Sequence, residues 1–415
     1  MRVSNRTVTN VLLLVGMAAL YMPAKAAGQS SFQVVKTPNE YTNNGLQAVS
    51  ASSASDIWAV GSSIMHFDGA RWTTFPVAGN TKEVCVSGVC TTISSVLSGV
   101  ADISPMDAWT VGSQTTLTTT TDPLSFNQST APVIQHWDGR QWSIFPGPSF
   151  AAGDAPTLFG MTAISANDIW AVGNLLSGGG TILNFLFEHW DGTSWTATAL
   201  PVSNPNGAFL FAISADATND VWAVGFTGPE NNDSRTLVMH FDGTNWKTVA
   251  SPSVGKGASQ LNSVVALAPN NVWAVGFSTP VAPPMEAATL TLTEHWDGAS
   301  WTVVASPDIG PNSVFQSNIL EGITAVSPTD IWAFGSSVLA NGSGNQETLL
   351  MNWDGSAWSI APSPNPTAGG FLDDILFAGV APSPGNLWIV GSELENTQGL
   401  EFGTLAIHST TAGPN

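Results

Sequence analysis

Glu294-His295-Trp296-Asp297-Gly298-Ala299-Ser300-Trp301 decides the fold, because near copies of it recur along the chain. One copy is His189-Trp190-Asp191-Gly192-Thr193-Ser194-Trp195. Joined to an upstream Asn271-Val272-Trp273-Ala274-Val275-Gly276, the stretch defines a unit that can be counted and phased. The leading Trp falls at Trp58, Trp109, Trp170, Trp222, Trp273, Trp332 and Trp388, which makes seven units spaced 51 to 61 residues apart.

Each unit contains four short β-prone segments, here lettered a to d, exemplified by Leu261–Leu267, Val272–Gly276, Thr289–Trp296 and Ser300–Ala305. Turn residues separate them: Ser-Pro-Thr-Asp at 327 to 330 joins a to b, and Asp-Gly joins c to d. No segment shows a helical period between caps. Seven four-stranded antiparallel units predict an all-β, seven-bladed β-propeller rather than a sandwich or a solenoid. The chain ends decide it. Unit seven stops after Thr404–His408 without an Asp-Gly turn or a d strand, while Ser31–Pro38 aligns residue for residue with Ser300–Pro307. Strand 31–38 is therefore expected to complete blade seven and close the ring, which removes two unpaired edges.

All 17 Trp residues fall at three repeat positions, with seven in b, six after Asp-Gly and four after the repeat His, where Phe67 and Phe241 substitute. So regular a ring predicts blade packing, not recognition. The six histidines, His66, His136, His189, His240, His295 and His408, share one phase, with Asn352 in unit six. One imidazole per blade cannot surround a metal ion, so each is expected to bond a partner within its blade, such as the repeat Asp.

Arg2 and Arg6, the apolar run from Val11 to Met22, and Ala24-Lys25-Ala26 read as a signal peptide over 1–26, leaving a single propeller domain over 27–415. A secreted or periplasmic monomer without membrane insertion is expected. Cys85 and Cys90 flank a Ser87-Gly88 turn that would set them opposite each other, close enough for a disulfide. The formal charge of −20 makes nucleic acid a poor partner. Adjacent Asp373 and Asp374 point to opposite faces of a strand and are poorly placed to cooperate as a glycosidase pair. Nucleophile-elbow, phosphate-loop and zinc motifs are absent, and neither a catalytic residue, a cofactor nor a metal site is expected.

The units differ in their b to c and d to a connections, which share one face of a propeller, while the short a to b and c to d turns share the other. The variable face is the expected binding face. Its candidate residues are Asp122 and Phe126 beside the Thr-rich segment from Thr115 to Thr121, then Glu230, Asp233, Glu286, Glu347, Glu393, Glu395 and Phe402.

The units Asp56–Gly61 and His189–Trp195 resemble bacterial propeller repeats of the Asp-box and photosystem II assembly-factor-like families, and more loosely kelch, across the whole chain after residue 26. The resemblance implies the propeller fold; such families include enzymes, lectins and scaffolds. An Asp box has a residue between its Asp and Gly, whereas Asp191 and Gly192 are adjacent here. Kelch has paired glycines, whereas Gly61-Ser62 stands here. A sialidase-like arginine triad with a tyrosine, or a galactose-oxidase-like tyrosine copper site, finds no counterpart with Tyr41 as the one tyrosine beyond the signal. The expected function is an exported, non-catalytic scaffold that binds a protein or an envelope polysaccharide through its variable face. The alternatives are a carbohydrate-binding lectin and a polysaccharide hydrolase or lyase.

Overall fold

Each unit closes as an antiparallel meander because its turn residues satisfy the backbone they reverse. In the c to d turn, Asp297 Oδ1 accepts the N–H groups of Ala299 and Ser300 at 2.8 and 2.9 Å. Gly298 sits at φ +95°, where a side chain is strained. Backbone donation holds the carboxyls of Asp68, Asp138, Asp191 and Asp297 below their ordinary value. The repeat glycine of strand b has a different cause. A Cβ on Gly276 would lie 2.0 Å from the Gln260 carbonyl oxygen of strand a.

The computed structural model describes residues 31–39, 45–121, 124–178, 182–202, 207–228, 234–255, 257–279, 288–310, 316–338, 345–366, 373–396 and 401–410. The signal-peptide expectation over 1–26 lies outside them. The described residues form seven antiparallel sheets and no helix, so none is long and apolar enough to cross a membrane. The seven a strands touch one another in a closed cycle, with Asp374–Ser383 of blade seven returning to Leu46–Ser53 of blade one. This is a seven-bladed β-propeller.

The N-terminal strand completes the last blade as the sequence predicts. Ser31–Val34 pairs antiparallel with Glu401–Thr410, Phe32 opposite Ser409 and Val34 opposite Ile407. The strand proper is shorter than 31–38, yet Val35 N–H still donates to Ala406 O at 2.8 Å and the Thr37 hydroxyl to Thr404 O at 3.2 Å.

The cores lie between blades. Trp58 of blade one meets Trp137 and Trp142 of blade two at ring-centroid distances of 4.9 and 5.0 Å. Trp222 meets Trp296 and Trp301 at 5.2 and 5.5 Å, and Trp273 meets Trp353 and Trp358 at 4.8 and 5.6 Å. The pattern runs through the closure. Trp388 of blade seven packs on Phe67 and Trp72 of blade one, and Trp332 of blade six on Phe32 of the N-terminal strand. Each apolar cluster accordingly draws on two adjacent blades.

Blade two departs from the four-stranded expectation. It has five strands, because Thr81–Val86 pairs with an elongated a strand, Val89–Ser104. The segment from Ser113 to Gln135, expected as a loop, is a ladder: Asp107–Thr121 pairs with Leu124–Trp137 from Ala108 opposite Trp137 out to Thr121 opposite Leu124. β-Branched threonines suit a pleated surface, and pairing satisfies backbone groups that an irregular loop would leave to solvent. The result is a tongue standing out from the variable face. Its hairpin has Cys85 opposite Cys90 and Val86 opposite Val89, positive φ at Ser87 and Gly88, and a disulfide with a Cα separation of 4.0 Å.

Trp301 is 5% exposed in the core shared by blades four and five. Trp301→Ala is expected to cost about 3–5 kcal/mol, read as a fall in melting temperature; an unchanged melting curve would contradict the packing role.

Candidate binding face and channel mouth

The element that most resembles a catalytic site is structural in every blade. The repeat imidazole bonds the acid or amide two residues before the b-strand Trp: His66 to Asp56 at 2.6 Å, His136 to Asp107 at 2.9 Å, His189 to Asp168 at 2.8 Å and His240 to Asp220 at 2.5 Å. His295 and His408 bond Asn271 and Asn386 instead, at 2.9 and 2.8 Å. Asn352 donates to Asp330 at 2.9 Å. The ring also lies against its own b-strand Trp, as His189 does on Trp170 with centroids 4.1 Å apart. The repeat Asp or Asn often takes a second bond, from the Trp indole, as in Trp222 to Asp220 at 2.8 Å. A neutral imidazole and an amide can both make this contact, which accounts for Asn352.

The two histidines paired with asparagine have an uncharged hydrogen-bond partner, and burial lowers the pKa of each, opposed at His295 by the charge of Asp297. Their folded-state protonation is therefore depressed, and the stability they contribute, present above the ordinary imidazole value of 6.5, is lost as pH falls below it through their lowered folded pKa.

The blades differ in sequence near the start of each a strand. Every a strand carries a buried leucine, Leu46, Leu97, Leu158, Leu210, Leu261, Leu320 or Leu376, exposed by 1% or less. The pairing register slips just after it in all seven blades. The bulge turns the next side chain into the channel. The residues so placed are Gln47, Ser98, Phe159, Phe211, Asn262, Glu321 and Phe377, and they rim a mouth of about 260 Å³ above a channel of about 300 Å³. Since a strands start at the d to a connections, this mouth opens on the variable face.

The rim is not symmetric. Phe159 and Phe211 meet edge to face at 5.9 Å, and Phe211 continues onto Phe226 at 5.8 Å. The next arc is polar: Gln260 Nε2 donates to Asn262 Oδ1 at 2.6 Å, and Asn262 Nδ2 to Glu321 Oε2 at 3.1 Å. Ser98 and Asn262 also donate to the carbonyls of Leu158 and Leu320 in the following blades, at 2.7 and 2.9 Å. Burial pushes the Glu321 carboxyl up to about 7.

Five of the residues expected on the variable face lie among the described residues. Phe126 is 70% exposed on the tongue. Glu347, Glu393, Glu395 and Phe402 lie within strands rather than loops, because the hairpins of blades six and seven pair farther than their length variation suggests; Glu347 stands opposite Ser337 and Phe402 opposite Leu394. Asp122, Glu230, Asp233 and Glu286 lie outside the described residues. Asp373 Oδ1 accepts the Gln346 N–H at 2.8 Å, a structural contact. Sequence reasoning missed the channel rim. Its signal was available as an unvarying leucine followed by a varying residue in every a segment.

Neither a family model nor a curated protein sequence matches the chain. Among solved structures, it is similar to one described as YCF48 bound to D1 peptide, with 12% identity, a TM-score of 0.53, and coverage of 92% of this chain and 97% of that one. A protein of unknown function from Dyadobacter fermentans is 11% identical over 78% of this chain and all of its own, with a TM-score of 0.41.

Two titrations check the site. His295 and His408 should titrate below the ordinary imidazole value in NMR, and Asn271→Asp should raise the pKa of His295. Glu294, fully buried, is pushed by burial from 4.5 up to about 8. Its folded form keeps the proton longer than its unfolded form, so stability it contributes below pH 4.5 declines as pH rises toward 8. Relative to Glu294→Gln, the native protein should lose melting temperature across that interval, and parallel curves would contradict the assignment.

The structural likeness and the seven cyclically packed sheets together place this chain among the β-propellers.

Proposed function

We propose that this protein is an exported, non-catalytic binding propeller that holds an extended segment of a protein partner on its variable face, with the channel mouth as the anchor. The observation that carries this reading is the rim itself. At the repeat position facing the channel, three phenylalanines, one glutamate and three uncharged polar residues replace one another from blade to blade, while the residue just before it is a buried leucine in every blade. An aromatic arc beside a polar one suits a chain that inserts an apolar side chain and presents hydrogen-bonding groups next to it. The acidic charge of the protein favours a basic segment. A solved propeller of similar fold is described as bound to a peptide, which supports the same mode of use here. The disulfide on the tongue suits an oxidising compartment.

The reading is tested with a phage-displayed peptide library panned on the intact protein. Peptides recovered should bind the Phe159→Ser/Phe211→Ser variant at least about tenfold more weakly, the loss of roughly one buried aromatic anchor. A Thr244→Ala variant, in a c to d turn on the other face, should bind as the native protein does. Undiminished binding to the rim variant, with its melting temperature intact, would place the binding site elsewhere.

A further inference from the structure

A second repeat position is kept in blades four to seven and lost in blades one to three. In blades four to seven, a hydroxyl five residues beyond the d-strand aromatic meets a threonine four residues before the repeat His or Asn. Ser251 contacts Thr236 at 3.1 Å, Ser306 contacts Thr291 at 2.8 Å, Ser363 contacts Thr348 at 2.8 Å and Thr37 contacts Thr404 at 2.5 Å. Blade one has Val77 and Ser62 at these places, blade two Gly147 and Pro132, and blade three Leu200 and Phe185, and of these three only blade two is followed by a blade that presents an acid there, since blade four presents Met239.

The following blade presents to this spot the side chain just before its repeat His. In blade five that is Glu294, whose Oε2 accepts the Ser251 hydroxyl at 2.5 Å. In blade two it is Gln135, whose amide accepts the Ala78 N–H at 3.1 Å and donates to the Ala78 carbonyl at 3.3 Å. In blade three it is Glu188, 1% exposed, and neither of its carboxyl oxygens has a hydrogen-bond partner among the described residues. The serine hydroxyl that serves Glu294 is missing at Gly147, and Pro146 and Pro148 on either side have no N–H to offer. A buried carboxyl without a partner is costly. Beside it, between blades two and three, lies a cavity of about 220 Å³ walled by Pro132, Val133, Ile134, Phe145 and Pro148, with Glu188 its one titratable lining residue among those described.

We propose that this slot is a binding site for a primary alkylammonium group, with the ammonium on the Glu188 carboxylate and the alkyl chain against the proline, valine and isoleucine walls. An ammonium supplies both the missing donor and a compensating charge. A hydroxyl alone does not hold such a carboxyl ionised, since Glu294 with its serine is still pushed up to about 8. The walls offer no second polar side chain to orient a sugar or the fork of a guanidinium. Ile144 at the rim is 51% exposed, so the slot is open to solvent. On its own sheet Glu188 is flanked by Ala171 and Ala197, and burial pushes its carboxyl up to about 7. The site is independent of the channel mouth.

Calorimetric titration of the native protein with butylammonium chloride, and separately with Nα-acetyl-lysine amide, tests the assignment. Butylammonium should bind about thirtyfold more tightly at pH 8.5 than at pH 5.5, as the ionised fraction of Glu188 changes while the amine stays charged. Glu188→Gln should abolish that difference and bind at least about tenfold more weakly at pH 8.5. Gly147→Ser should bind weakly as well, because its Cβ would lie 3.1 Å from Ile134 Cδ1 and bring the hydroxyl into the slot. Should the serine variant fail to fold, the isosteric Glu188→Gln decides alone. Binding of the lysine amide as tightly as butylammonium assigns the slot to lysine side chains of a partner, and binding of butylammonium alone assigns it to free amines. Absence of binding by the native protein, or equal binding by Glu188→Gln, would overturn the proposal.

Discussion

The structure depends on one repeated contact: the b-strand tryptophan of each blade wedged against the d-strand aromatic of the next, joined in every blade but the seventh by the aromatic that ends strand c. A single four-stranded sheet cannot bury both of its faces. The wedge gives every blade an apolar partner on each side, and only a closed cycle leaves no blade without one. Phe32 shows how strict this requirement is. It lies in the N-terminal strand and packs on Trp332 of blade six, so chain closure and core completion are one event.

This constraint also explains why the most site-like motif is not a site. A histidine, an acid and two aromatics within eight residues invite a catalytic reading. In the folded chain the imidazole is bonded to the acid or amide preceding the b strand and stacked on the b-strand indole, and the Asp of Asp-Gly is occupied by two backbone N–H groups. Their side chains fix turns and tryptophan rotamers on the face where all blades agree. Where the repeat is uniform it serves the ring, and individuality is left to the a-strand bulges and to the blade-two tongue.

The same logic applies to buried acids. Gln135, Glu188 and Glu294 share one repeat position, and what distinguishes them is the linker of the preceding blade. Ala78 offers backbone groups, Ser251 offers a hydroxyl, and Gly147 between two prolines offers neither. Changes far apart in sequence therefore meet at one junction, and their consequence is electrostatic rather than steric.

The number of blades and their strand order are legible in periodicity and turn chemistry repeated seven times, and the disulfide hairpin and the closing strand in one local turn and one displaced copy of strand d. The sequence misjudged Glu347, Glu393, Glu395 and Phe402 as loop residues and the segment from Ser113 to Gln135 as a loop, since hairpin length depends on pairing across the strand rather than on residue type alone. Only the tertiary structure decided which varying positions face one another. Gln47 and Phe377 lie more than three hundred residues apart in sequence, yet they share a rim because the ring closes. Gly147 and Glu188 become neighbours because consecutive blades two and three pack face to face, in a register set by aromatic contacts that no single repeat records.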